Sequence, residues 1–200
     1  WRRVCVLNSP AAQPSGQTSP SSTQPSGTTP RASMAIKALV LDFDSTISVP
    51  TFLKRAKQWA VADNVPLFDS MSTEERVANF GGKARVEQLA SCLADLKAAS
   101  VELFIVSIGH KAAFVPHLES VGLLAYFAPE RLYGQDSPEL RATGFVKGEL
   151  IGQIMHARGW AHEDVLFVDD SIGHIEKARS ICRTLHVTGK GGMQAAELAE

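Results

Sequence analysis

The chain reads as an α/β protein: a doubly wound, mostly parallel sheet with helices on both faces and a small helical lid. Three observations predict it. Short, largely apolar runs recur at 36–41, 101–106 and 165–168, as expected of strands buried on both faces. Helical patterns separate them, the spacing of parallel strands joined by crossover helices. Each run then ends in polar residues: Asp42 and Asp44, then Ser107, then Asp169 and Asp170.

In chain order, 36–41 is the first buried strand, and 51–62 is a helix in which Phe52, Ala56, Trp59 and Ala60 recur at helical spacing. Ser72-Thr73-Glu74-Glu75 fits a capping box and starts a second short helix, which Gly81-Gly82 punctuate. The clearest helix is 84–99, with Val86, Leu89, Leu93 and Leu96 on one face and Glu87, Asp95 and Lys97 turned away. It feeds the strand 101–106. A helical stretch follows, which Pro116 should interrupt or restart. Short strands are expected near Tyr126-Phe127 and Arg131-Leu132-Tyr133, before a polar loop from Gln135 to Arg141. After Lys147 a helix places Leu150, Ile151, Ile154 and Met155 on one side and closes at Gly159. The strand 165–168, a helix through Ile172, Ile175 and Ile181, and a last strand at 184–188 complete the pattern.

Composition bounds the function classes. Two hundred residues with 44% hydrophobic content suit one domain with a sizeable core. A formal net charge of −1 argues against wholesale binding of nucleic acid or acidic membrane, and no apolar run approaches the roughly 18 residues of a spanning helix. Cys5, Cys92 and Cys182 lack C-x-x-C spacing, which favours reduced thiols over a disulfide framework or zinc site, and hence a reducing compartment such as the cytoplasm. Residues 1–33, mostly Ser, Thr, Pro, Gly, Gln and Ala after Leu7, cannot form a core, so the folded domain is 34–200. Their composition favours a disordered tail or translated untranslated sequence, with Met34 a candidate start, over an organelle transit peptide.

The chemistry should lie at the strand ends. In extended chain, residues two apart point the same way, so Asp42 and Asp44 emerge together and require a cation or a proton. The crevice beyond the carboxyl ends of parallel strands is where ligands bind in such sheets. Alone, the Asp pairs could cap turns or helices, Ser107 could be a turn residue, and Lys147 would read as a solvated lysine. Gly189-Lys190-Gly191-Gly192 lacks the rest of a phosphate-loop motif and reads as a turn; His110 reads as a surface residue and His174 as part of the last helix.

Taken together, Asp42-Phe43-Asp44-Ser45-Thr46, Ser107, Lys147 and Asp169-Asp170 resemble the four ordered motifs of the haloacid dehalogenase superfamily, over residues 36–190. The resemblance implies the Rossmann-like fold of that superfamily and makes Asp42 the nucleophile that forms an aspartyl-phosphate. Asp44 becomes the general acid and base, with Thr46 supporting the turn. It implies a metal held by Asp42, the Asp44 backbone carbonyl, Asp169 and Asp170. Mg²⁺ suits such oxygen donors, and no Cys or His cluster competes for a softer metal. Lys147, Ser107 and the amides after it, that of Gly109 included, would hold the phosphate.

Asp44 favours a phosphatase, because the dehalogenase branch lacks an acid at that place. Only 47–82 is left for a flap or cap, enough for a small lid over an open site. The expected activity is Mg²⁺-dependent phosphomonoester hydrolysis, acting on a small phosphorylated metabolite or, second, a phosphoprotein. A phosphoryl-transferring mutase and a non-catalytic scaffold of the same fold are the alternatives.

Overall fold

A computed structural model describes residues 36–50 and 69–194. The helix expected at 51–62, the leader 1–33 and half of the expected lid lie outside the described residues. Among the described residues, five strands form one sheet: β1 (Ala38–Leu41), β2 (Glu102–Val106), β3 (Leu132–Tyr133), β4 (Val165–Asp169) and β5 (Arg183–His186). Their spatial order is β3-β2-β1-β4-β5, and every pairing is parallel. The chain therefore winds outward from β1 in one direction and returns to wind the other way, with β1 at the switch between the two halves.

Alternation along β1 shows why the sheet is covered on both faces. Leu39 and Leu41 join one core with Phe43, Ile47, Leu89, Leu93, Leu96, Leu103, Ile105 and Phe114. Ala38 and Val40 join the other with Phe104, Phe167, Leu150, Ile151, Met155 and Ile175. Helices α1 (Thr73–Ala78) and α2 (Lys83–Ala98) precede β2, and α3 (Lys111–Ser120) follows it; α4 (Pro138–Ala142) and α5 (Lys147–Arg158) precede β4, and α6 (Ile172–Ala178) follows it. The capping box of α1 is present: Ser72 Oγ accepts from the Glu75 amide at 3.2 Å, and Glu75 Oε2 accepts from the Ser72 amide at 2.9 Å. Gly159 closes α5 in the left-handed conformation, as expected.

Several expectations need correction. Helix α3 runs through Pro116 without interruption, because Ala113, Phe114, His117 and Leu118 bury one face and outweigh a single missing backbone bond. Leu124–Tyr126 is a 3₁₀ turn, not a strand; the Phe127 amide is satisfied locally by the Leu124 carbonyl, and the edge position falls to Leu132–Tyr133. Part of the expected polar loop is the short helix α4, started by Pro138 at its first turn. Helix α6 ends at Ala178, which leaves Ile181 in the following turn, and the last strand lies at Arg183–His186. Among the described residues, no helix is long and apolar enough to cross a membrane.

Candidate active site

The strand register brings the predicted residues together. Leu41 of β1 pairs with Ile105 of β2 and Val168 of β4, so the next residue, Asp42, comes level with Val106 and Asp169. The Asp42 amide donates to the Val168 carbonyl at 2.9 Å, and the Ser107 amide donates to Tyr133 at 3.0 Å. Beyond Asp42 the chain makes an irregular turn over Phe43–Ile47, with Ser45 at φ 65°. Phe43 anchors the turn from below, its ring centroid 5.6 Å from that of Phe114 and 6.1 Å from that of Phe80. Asp44 is left half-buried at the crevice, with Oδ2 only 3.0 Å from where a β-carbon on Gly109 would lie. A glycine there lets the first and second motifs approach this closely.

Lys147 is buried at the first turn of α5, and its Nζ donates to Asp42 Oδ1 at 2.5 Å and to Asp169 Oδ2 at 2.7 Å. It arrives there because Gly148 packs against α6: a β-carbon on Gly148 would be 3.1 Å from both Ala178 Cα and the Lys177 carbonyl. Asp169 Oδ1 also accepts from the Ser171 amide at 2.7 Å. Carboxylate oxygens of Asp42, Asp169 and exposed Asp170 lie within 4.8 Å of one another.

Burial pushes the Asp42 carboxyl up to about 7; Lys147 opposes the shift, while Asp169 and Asp44 add to it. Asp170 is raised by burial and then by the charge of Asp169. Burial disfavours the Lys147 charge, but Asp42 and Asp169 more than reverse this and hold its pKa above the ordinary lysine value. These all-oxygen donors, within 4.8 Å of one another, fit a hard divalent cation such as Mg²⁺.

Ser107 is buried at the end of β2, and its Oγ accepts from the Gly109 amide at 3.0 Å, leaving the hydroxyl proton to donate. The Gly109 carbonyl accepts from the Gln135 amide at 2.9 Å, and Asp136 Oδ1 caps the Lys111 amide at 3.0 Å. The loop after β3 thus braces the Ser107–Gly109 turn. Thr46 is fully buried; its hydroxyl makes no hydrogen bond among the described residues, and its carbonyl accepts from the Met193 amide at 2.9 Å. His110 precedes the first turn of α3. His174 lies on α6, its pKa lowered by burial and then by Lys147.

Sequence reasoning missed Arg85 and Asp136. Arg85 carried a usable signal: it falls four residues before Leu89, on the stripe that continues through Cys92, Leu93 and Leu96, so a cation occupies an apolar face. Asp136 had none beyond its place in a polar loop.

No family model matches the chain, and none of the curated proteins is similar to it. Among solved structures, the chain is similar to a haloacid dehalogenase-like family hydrolase from Streptococcus pneumoniae, at 17% identity over 82% of this chain and 89% of that one, with a TM-score of 0.43. A subfamily IA hydrolase of the same superfamily from Geobacter sulfurreducens is 16% identical over 76% and 89%, with a TM-score of 0.45. The Unknown transcript 4 protein from Saccharomyces cerevisiae is 15% identical over 80% and 93%, with a TM-score of 0.48. The chain's own ordered set of residues, Asp42, Asp44, Ser107, Lys147, Asp169 and Asp170, which resembles the motifs of the haloacid dehalogenase superfamily, gathers at the carboxyl ends of three adjacent parallel strands.

Proposed function

We propose that the chain is a Mg²⁺-dependent phosphomonoesterase that works through an aspartyl-phosphate on Asp42. The observation that carries this reading is the buried triad of Lys147 with Asp42 and Asp169, beside Asp170 and with Asp44 close to Gly109. An anionic ester meets an anionic nucleophile only where positive charge intervenes. Lys147 supplies one such charge, and it also favours the ionised, attacking form of Asp42. Asp42, Asp169 and Asp170 would hold Mg²⁺, which supplies charge neutralisation at the phosphoryl oxygens.

Asp42 attacks phosphorus as the bond to the ester oxygen breaks, and Asp44 gives its proton to that oxygen. Asp44 then takes a proton from water, which attacks the phosphorus and releases Asp42. Ser107 donates a hydrogen bond from its hydroxyl to a phosphoryl oxygen during both steps and keeps its proton.

We favour a small phosphorylated metabolite as substrate, with a phosphoprotein second, which an open site could accept; the half-exposed position of Asp44 and the short 47–82 insertion disfavour a mutase, which must keep water out. The buried free thiol of Cys182 is consistent with a reducing compartment, and we favour the cytoplasm. The test is phosphate release from a broad panel of esters by wild type and Asp42→Asn, with Mg²⁺ and with a chelator. Metal-dependent release by the wild type alone is expected. Equal release by both proteins, release by neither, or undiminished release in chelator would overturn the reading.

A further inference from the structure

We infer that Arg85 and the Gly191–Met193 loop form a clamp that positions Asp44 for proton transfer; the inference rests on the hydrolase reading above. The guanidinium of Arg85 donates to four backbone carbonyls drawn from three separate segments. Nη1 reaches Ile47 at 2.6 Å and Phe80 at 2.8 Å, and Nη2 reaches Thr46 at 3.0 Å and Met193 at 3.2 Å. The Thr46 carbonyl is held twice, since the Met193 amide donates to it as well.

The loop can come this close only because residue 192 is glycine. It sits at φ 72°, and a β-carbon there would lie 2.5 Å from Arg85 Nη2, 2.8 Å from the Ser48 carbonyl and 2.9 Å from the Thr46 carbonyl. The glycine-rich stretch that reads in the sequence as a plain turn is therefore packed onto the turn that carries the acids.

The clamp acts at the place where Asp44 needs it. Asp44 follows Phe43, which is fixed in the core, and precedes Ser45, a non-glycine residue in the left-handed region. One flank of the turn is thus set by packing, whereas the other, Thr46-Ile47, is set by Arg85 and Met193. Strain at Ser45 persists only while both flanks are held. All four of these Arg85 hydrogen bonds end on backbone carbonyls, so it acts through the backbone, as a positioning residue.

The experiment uses the full chain and the variants Arg85→Met, Arg85→Lys and Gly192→Ala. Each is assayed on two hydrolysed esters that differ in the acidity of the leaving alcohol, such as phenyl and 4-nitrophenyl phosphate. Loss of proton donation by Asp44 penalises the poorer leaving group more. We expect kcat/KM of Arg85→Met and Gly192→Ala to fall about tenfold or more on phenyl phosphate and less than about threefold on 4-nitrophenyl phosphate, with Arg85→Lys recovering part of the loss.

Amide hydrogen exchange at 45–48 should quicken in the same variants while the strands β1, β2 and β4 stay protected. If Arg85→Met fails to fold, Gly192→Ala and Arg85→Lys carry the same comparison. Equal losses on both esters, unchanged rates, or unchanged exchange at 45–48 would overturn the clamp. A wild type that hydrolyses no ester of the panel while the exchange response persists instead removes the hydrolase reading, and the catalytic part of this inference with it.

Discussion

Replacing the proposed nucleophile by its neutral isostere should make the metal-free protein more stable at neutral pH. Asp42 is only 4% exposed and faces Asp169 and Asp44 as well as Lys147. Its carboxyl titrates near 3.8 when unperturbed and is pushed up to about 7 in the fold, chiefly by burial. Between those values the folded chain binds more protons than the unfolded chain. The stability this group contributes is therefore complete below about pH 4 and is lost as the pH rises through about 7. A difference of about three units corresponds to at most about 4 kcal/mol.

Asparagine resembles the protonated carboxyl in shape, and Lys147 keeps Asp169 as its partner. The assay is urea unfolding of wild type and Asp42→Asn in chelator from pH 4.5 to 8. The variant's advantage should grow with pH to about 2–4 kcal/mol at pH 8, and Mg²⁺ should shrink it by stabilising the wild type more. Parallel stability curves, or a wild type more stable than the variant at pH 8 in chelator, would refute the reasoning.

Two further perturbations test the same electrostatics elsewhere. Lys147→Met leaves Asp42 and Asp169 buried without their shared cation and should cost about 3–5 kcal/mol in urea unfolding at pH 8, with no phosphate release; a loss below about 1 kcal/mol would contradict the buried triad. His117 is fully buried, with Nδ1 on the Ala113 carbonyl at 2.8 Å and Nε2 facing Asn79 Nδ2 at 3.3 Å. Burial lowers its pKa to about 4, the Ala113 bond opposing and Arg76 adding to the shift. The unfolded chain then takes up the proton first, so stability is full above pH 6.5 and falls by up to about 3 kcal/mol as the pH drops to 4; His117→Gln should flatten that slope.

The strand ends were legible because two signals coincide there: an apolar run long enough to be buried, followed at once by acids that no buried strand accommodates without a purpose. Lys147 was legible only through its order among the motifs. Nothing local marks it as buried, since its burial follows from Gly148 letting α5 approach α6. Arg85 escaped for a related reason: a helical arginine reads as solvated until its backbone acceptors, more than 30 residues away at Thr46 and Ile47, are brought beneath it. Pro116 misled because one missing backbone bond was weighed without the four buried residues of its helix face. Local strength of signal thus tracked whether a residue's partners are its neighbours in the chain.

The burial that raises Asp42, with the charges of Asp169 and Asp44 adding to it, also makes the crevice one where a cation would be favoured. Three carboxylates share a space in which, among the described residues, the Lys147 ammonium is a buried counter-charge, and both Asp42 and Asp170 are pushed towards their neutral forms. A divalent ion that drew on the same oxygens would relieve this crowding of charge, so part of its binding free energy would be stored in the metal-free fold. Strengthening the fold by neutralising Asp42 or Asp170 would remove part of that store. Stability and metal affinity at this crevice should therefore move in opposite directions, as expected where a site is kept strained for its chemistry.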